Sequence, residues 1–217
     1  MKIRSLFFYI ACLIICSYGA QEQGSSNGSF EGKINFKKTA GSVEMKYNYF
    51  VKGDHVRIEE LNETNDVVGI QLVNINNKKL FAISPERKLY LEAPTRRSGA
   101  NLDVKVLKTD RKKTINDVEC SEIIVINKAQ DRKIRYWVTK GNYSFFKPLL
   151  LVLNRKEKQA MYFLKIKDLE DYWPMKRVEL VISTGKVVSK LMTVSIDVSK
   201  QKDELFEIPE GYTKFED

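Results

Sequence analysis

The sequence is poor in the residues that build metal sites and covalent frameworks. It holds one histidine and three cysteines among 217 residues, and two of those cysteines, Cys12 and Cys16, fall within the first sixteen positions. With the N-terminus removed, Cys120 is the only thiol and no intramolecular disulfide is available. His55 has no second imidazole with which to share a metal, and neither a His-Glu-x-x-His nor a Cys-x-x-Cys spacing occurs. No phosphate-binding loop is present. These absences leave no expected metal site, no cofactor and no catalytic residue. Five prolines and eleven glycines are too few for a collagen-like or low-complexity chain.

Long apolar runs are also missing. Leu6 to Ile15 carries no charge but is about half of the roughly 20 residues a membrane-spanning helix needs. Lys2 and Arg4 precede this run and Ser17-Tyr18-Gly19-Ala20 follows it, which is the anatomy of a cleaved secretory signal over residues 1–19. Cleavage before Ala20 places small residues at the right positions. A lipid-attachment reading of Leu13-Ile14-Ile15-Cys16 competes, although Ile15 is bulkier than that chemistry prefers. Residues 20–29 read as a flexible Gly/Ser-rich leader, and residues 30–217 as one domain. The expected product is exported and not integral to a membrane. It is periplasmic, with secreted or outer-membrane-associated placements left open. A mature chain of about 195 to 200 residues buries about 70% of its unfolded surface, enough for a core without disulfides.

Aromatic residues and basic charge are plentiful. Ten tyrosines and eleven phenylalanines favour strands. Lys and Arg exceed Asp and Glu by 37 to 28, and loss of Lys2 and Arg4 lowers the formal charge from +9 by two. Nucleic acid is not an expected partner of an exported chain. Lysines interleaved along strands protect sheet edges, and the clusters Arg96-Arg97 and Asp110-Arg111-Lys112-Lys113 suit anionic headgroups or acidic polymers.

The chain reads as strand after strand. Val43, Met45, Tyr47, Tyr49 and Val51 alternate with polar residues, a period of two. Val56 and Ile58 resume the alternation after Lys52-Gly53-Asp54. Val67 to Ile75, Leu80 to Ile83 and Lys88 to Glu92 follow, separated by turns at Asn76-Asn77 and Ser84-Pro85-Glu86. Thr95 to Asn101 is a basic connection. Leu102 to Lys108, a charged turn at Asp110 to Asn116, Val118 to Ile126 and Lys133 to Thr139 come next. The period then changes: Phe145, Phe146, Leu149, Leu150, Leu151, Val152 and Leu153 predict one helix over Ser144 to Lys156, with Ser144 as N-cap. That helix is apolar on more than one side and must cover something apolar. Ala160 to Lys167 reads as a strand and Trp173-Pro174 as a break. A hairpin follows around Thr184-Gly185, and Glu204 to Tyr212 reads as a docked tail. Helices do not alternate with strands, so a doubly wound sheet is excluded. The expectation is a mainly β (α+β) fold of about eleven or twelve strands: a strongly curved antiparallel sheet or incomplete half-barrel with one main helix as lid.

Several stretches, taken in order, resemble a known family. They are Phe50-Val51-Lys52-Gly53-Asp54 with Arg57-Ile58-Glu59; Val73-Asn74 and Ile83-Ser84-Pro85-Glu86-Arg87-Lys88-Leu89-Tyr90; Trp137-Val138-Thr139-Lys140; and Leu205 to Tyr212. Together they resemble a bacterial family of envelope proteins of unknown function related to the outer-membrane lipoprotein carrier, a LolA-like fold. One departure is Asp117 in Ile115-Asn116-Asp117-Val118-Glu119-Cys120, where relatives carry glycine. The resemblance implies an open antiparallel barrel whose apolar interior shelters acyl chains beneath helical lid elements.

Two functions remain open at this level. In the first, Phe145, Phe146, Leu149, Leu150, Val152, Leu153, Trp137 and Trp173 form lid and lining of a cavity for a lipid, acyl chain or lipidated partner. Against it stands ordinary core packing by the same residues. In the second, the core is filled and a strand edge or the Arg96-Arg97 loop contacts an envelope protein. Oligomeric state is open. His55 reads as a surface turn residue and Cys120 as a buried, inert thiol. Glu59-Glu60 and Glu170-Asp171 are adjacent in sequence, so on strands their side chains point to opposite faces and do not jointly grip a substrate.

Overall fold

A computed structural model describes residues 28–95 and 102–216. Their strands are β1 Glu31–Ala40, β2 Val43–Lys52, β3 His55–Leu61, β4 Val67–Asn74, β5 Lys79–Ser84, β6 Leu89–Glu92, β7 Lys105–Ile115, β8 Val118–Asn127, β9 Arg132–Lys140, β10 Tyr172–Val181, β11 Val187–Asp197 and β12 Thr213–Lys214. Two short helices, α1 Phe146–Val152 and α2 Lys158–Phe163, lie between β9 and β10. A single 3₁₀ turn, Asp203–Phe206, precedes β12.

All twelve strands form one sheet in the order β12-β6-β5-β4-β3-β2-β1-β11-β10-β9-β8-β7. Neighbouring strands pair antiparallel except β12 with β6, which run parallel. The antiparallel pair β1–β11 joins the two halves of the chain. The sheet is open rather than closed or strongly curled, which corrects the half-barrel expectation. Its edges offer nothing to close on: β12 is two residues long, and β7 presents Lys105, Lys108, Arg111, Lys112 and Lys113. Gly32 matters at the β1–β11 seam, because a Cβ there would clash with the Asp197 carbonyl oxygen.

One contiguous core lies on a single face of the sheet and under the helices. It joins Ile34, Val51, Val56, Val73, Val125, Tyr136 and Trp173 to Phe146, Leu149 and Phe163. On the opposite face Ile70, Leu72 and Ile83 form a smaller cluster covered by Ile208 and Tyr212 of the tail. Arg57 pins that tail: its Nη1 donates to the Leu205 carbonyl at 3.2 Å and its Nε lies 2.8 Å from Glu59 Oε1.

Local chemistry explains where element boundaries depart from the sequence reading. The helix expected over Ser144 to Lys156 starts at Phe146, with Phe145 rather than Ser144 at the cap and no side-chain cap bond. It ends early because Asn154 adopts φ 47°, a left-handed stop that asparagine tolerates. Residues 160–167, expected as a strand, begin in α2; a short, nearly continuous apolar run does not distinguish the two periods. Thus two short helices replace the single lid helix. Asp110 to Ile115 belongs to β7, with a register shift between Lys108 and Lys112, and the turn is Asn116-Asp117 alone. Both turn residues have positive φ, 49° and 61°, so Asp117 fills the glycine-type position. The Asn116 side-chain amide donates to the Thr193 and Val194 carbonyls at 2.9 Å each, which holds the turn. At the 75–78 turn, Lys78 rather than an asparagine takes the left-handed position. Trp173-Pro174 is not a break: both lie inside β10, at a bulge between Pro174 and Lys176.

Candidate functional site

Register decides what faces the core from β10. Before the bulge Pro174 pairs with Val138; after it Lys176 pairs with Trp137, Arg177 with Tyr136 and Glu179 with Ile134. Trp173, Met175, Arg177 and Glu179 are buried at every second position of β10, so Arg177 and Glu179 face inward in the phase set by Trp173, 5% and 7% exposed.

These charged residues border a cavity of about 430 Å³ between the sheet and the α1–α2 connection. Its apolar walls are Phe36, Tyr47, Tyr49 and Leu191 from the sheet and Phe146 and Leu150 from α1. Phe36 stacks on Tyr47 with ring centroids 5.1 Å apart and meets Tyr49 edge-on at 4.7 Å. Arg155, Lys156 and Glu157 of the α1–α2 connection, with Lys158 and Ala160 of α2, complete the opening.

A polar network occupies one end. Arg132 Nε lies 3.3 Å from Glu179 Oε1, an ion pair without the alignment of a hydrogen bond. Ser189 Oγ donates to Glu179 Oε2 at 3.2 Å, Gln159 Nε2 donates to Ser189 Oγ at 2.7 Å, and the Tyr136 hydroxyl donates to the Gln159 carbonyl at 2.8 Å. Glu157 is shared between Arg155 at 3.5 Å and Lys38 at 3.6 Å. Burial opposes the charge on Glu157, but Arg155 and Lys38 outweigh it and hold the carboxyl below its ordinary range. Arg177 differs. Burial pulls its guanidinium below the ordinary value, Tyr49 and Tyr136 oppose that shift, and Nε has no hydrogen-bond partner among the described residues. Its nearest aromatic face is Phe146, 5.8 Å from Cζ.

The residues expected as lid and lining divide. Phe146 and Leu150 border the cavity. Phe145, Leu149, Val152 and Leu153 are buried in the adjoining core. Trp173 is fully buried there, with its indole 4.6 Å from the Phe146 centroid and its Nε1 donating to Thr193 Oγ1 at 2.8 Å. Trp137 pairs with Glu122 and Lys176 and is partly buried against the main core, without lining the cavity. Arg96, Arg97 and the 1–19 segment lie outside the described residues. Arg132, Arg155, Gln159, Arg177, Glu179 and Ser189 were not singled out from the sequence. Arg177 and Glu179 alternate with Val178, Leu180 and Ile182, a pattern that by itself sends the charges outward; the inward phase is the one shared with Trp173 and Met175.

The remaining singled-out groups sit elsewhere. Cys120 is fully buried, and burial followed by Glu119 pushes its thiol up to about 11. His55 is half-exposed, with Nδ1 2.8 Å from Asp54 and Nε2 3.0 Å from the Asn74 amide. Gly24-Ser25-Ser26-Asn27-Gly28 has the letters of a hydrolase nucleophile turn, and residues 24–27 of it lie outside the described residues. No group of three metal-ligating side chains occurs among the described residues, and none of their helices is long and apolar enough to cross a membrane.

Comparison with known proteins places the fold. An uncharacterised conserved protein from Thermus thermophilus superposes with a TM-score of 0.52 at 9% identity, over 85% of this chain and 90% of that one. MucB in the Pseudomonas aeruginosa MucA/MucB complex gives 0.47 at 8% identity, over 81% and 54%. A LolA superfamily protein from Nitrosomonas europaea, NE2245, gives 0.35 at 13% identity, over 82% and 90%. No curated protein matches the chain. A family model described as a domain of unknown function, DUF4412, matches residues 30–212, and the chain belongs to that family.

Proposed function

We propose that the protein is an exported, non-enzymatic binding protein of the bacterial envelope that holds an acyl chain, free or carried by a lipidated partner, in the cavity beneath α1 and α2. The observation that carries this reading is the cavity itself: about 430 Å³, walled by Phe36, Tyr47, Tyr49, Phe146, Leu150 and Leu191. That volume lies within the roughly 300–1,000 Å³ of small-ligand pockets and suits one chain rather than two. Each methylene that enters gains about 0.8 kcal/mol. The apolar run after Lys2 and Arg4 supports export, and the single sheet supports one domain over residues 30–217.

The test is displacement of a neutral fluorescent acyl probe from the mature, delipidated chain. Wild type should bind it. Ala160→Phe, which fills the cavity from α2, should weaken binding about tenfold or more while the protein stays folded by circular dichroism. Equal binding by a folded Ala160→Phe, or no binding by wild type, contradicts the reading.

A further inference from the structure

The cavity has apolar walls, yet its charge is one-sided. Lys38, Arg132, Arg155, Lys156, Lys158 and Arg177 border it against only two carboxylates, Glu157 and Glu179. Both carboxylates are already engaged, Glu179 by Arg132 and Glu157 by Arg155 and Lys38. Lys156, Lys158 and Arg177 form no ion pair among the described residues, and of these three only Arg177 is buried. It is 95% buried, its Nε has no partner among the described residues, no ion pair reaches it, and its guanidinium lies over the Phe146 ring. A guanidinium remains protonated in proteins. Burying a charge without a counter-charge is strongly unfavourable, and packed apolar residues of similar volume would remove the penalty.

The sequence next to Arg177 makes the point sharper. Val178 is adjacent and Leu180 lies in its phase, yet the strand keeps the inward phase of Trp173 and Met175, which turns Arg177 and Glu179 in and these two apolar residues out. A local departure of this kind, apolar residues turned out and an unpaired charge turned in, is expected where function overrides packing. The planar fork of an arginine suits a carboxylate or phosphate held through two parallel hydrogen bonds.

We propose that the cavity selects a single-chain anionic amphiphile, whose carboxylate or phosphate pairs with Arg177 while its chain lies against Phe36, Tyr47, Tyr49, Phe146 and Leu150. This rests on the acyl-binding reading and adds the headgroup. Two sources share the chemistry, a free fatty acid and a lysophospholipid with an anionic head.

Calorimetric titration of the mature, delipidated chain with dodecanol, dodecanoate and lauroyl-lysophosphatidylglycerol, each below its micelle concentration, separates the outcomes. Dodecanoate or the lysophospholipid should bind at least about tenfold tighter than dodecanol, the scale of one charge-assisted pair. The tighter of the two names the source. Arg177→Met should remove that preference and leave dodecanol binding within about threefold. Equal binding of charged and neutral chains by wild type overturns the headgroup assignment and leaves the acyl reading standing. Failure of all three overturns both. The wild-type comparison needs no variant, so misfolding of Arg177→Met does not rescue the proposal. A second readout is the melting temperature of ligand-free protein: Arg177→Met should equal or exceed wild type, and a fall of several degrees would make Arg177 a structural brace and overturn the proposal.

Discussion

Up to its bulge, β10 places Trp173 and Met175 in a dry interior; beyond it, the same strand places Arg177 and Glu179 beside an open cavity. Trp173 touches Tyr49, Tyr143, Phe145 and Phe146, with ring centroids 4.6 to 6.2 Å away, and its one polar atom is satisfied by Thr193. Just past the bulge, Arg177 has no such partner on Nε. The first half is built for packing, and the indole at its centre is satisfied from within the chain. The second half retains an unmatched charge, which marks the place where the chain expects something it does not itself supply.

That contrast can be broken at either end. Trp173→Ala should be the most damaging single change. Removing a fully buried indole from its aromatic neighbours costs about 3–5 kcal/mol, which urea unfolding will show as a lowered midpoint at unchanged slope. A loss below about 1 kcal/mol would mean the two ends pack alike.

Alkaline pH acts next. Burial, then Glu60, pushes Tyr47 up to about 12; burial, then Glu179, pushes Tyr162 up to about 12; burial holds Tyr136 well above its ordinary value. A raised folded-state value means that the associated stability is intact below the unfolded value of about 10 and is lost as pH climbs through about 12. Tyrosinate absorbance of these residues should therefore appear together with loss of circular dichroism. Full tyrosinate absorbance from a still-folded chain would contradict their burial.

Glu179→Gln is a smaller change. It leaves Arg132 without its carboxylate and weakens the Ser189 bond, which at this partly exposed pair costs about 1–3 kcal/mol in thermal unfolding. Arg177→Met is the smallest, at or slightly above wild-type stability in the absence of ligand. If Arg177→Met destabilised more than Glu179→Gln, the assignment of paired and unpaired cations would be reversed.

Much of the fold was legible because strands with one buried face advertise themselves. β2, with Tyr47, Tyr49 and Val51 in phase, and β8 and β9 follow the period-two pattern closely. The tail Glu204 to Tyr212 docks as its spacing suggests, with Ile208 and Tyr212 against Ile70, Leu72 and Ile83. The helical segment was half legible. Phe145 to Leu153 reveals burial, but the left-handed turn at Asn154 that cuts the helix is a single-residue event, and α2 is hidden in an apolar run that fits either period. The charged side of the site was illegible for a geometric reason. Val178, Leu180 and Ile182 read as the buried face, whereas the strand keeps the phase of Trp173 and Met175 and turns Arg177 and Glu179 inward. Arg132, Gln159 and Ser189 come from three separate elements, and no sequence spacing joins them.

The most direct measurement is a native mass spectrum of the mature protein, purified from the envelope fraction without detergent. The account predicts a population heavier than the processed chain by the mass of one single-chain acidic lipid, lost on organic extraction and absent from Arg177→Met. A spectrum of bare polypeptide alone, from a protein that also fails to take up dodecanol or dodecanoate, would contradict it.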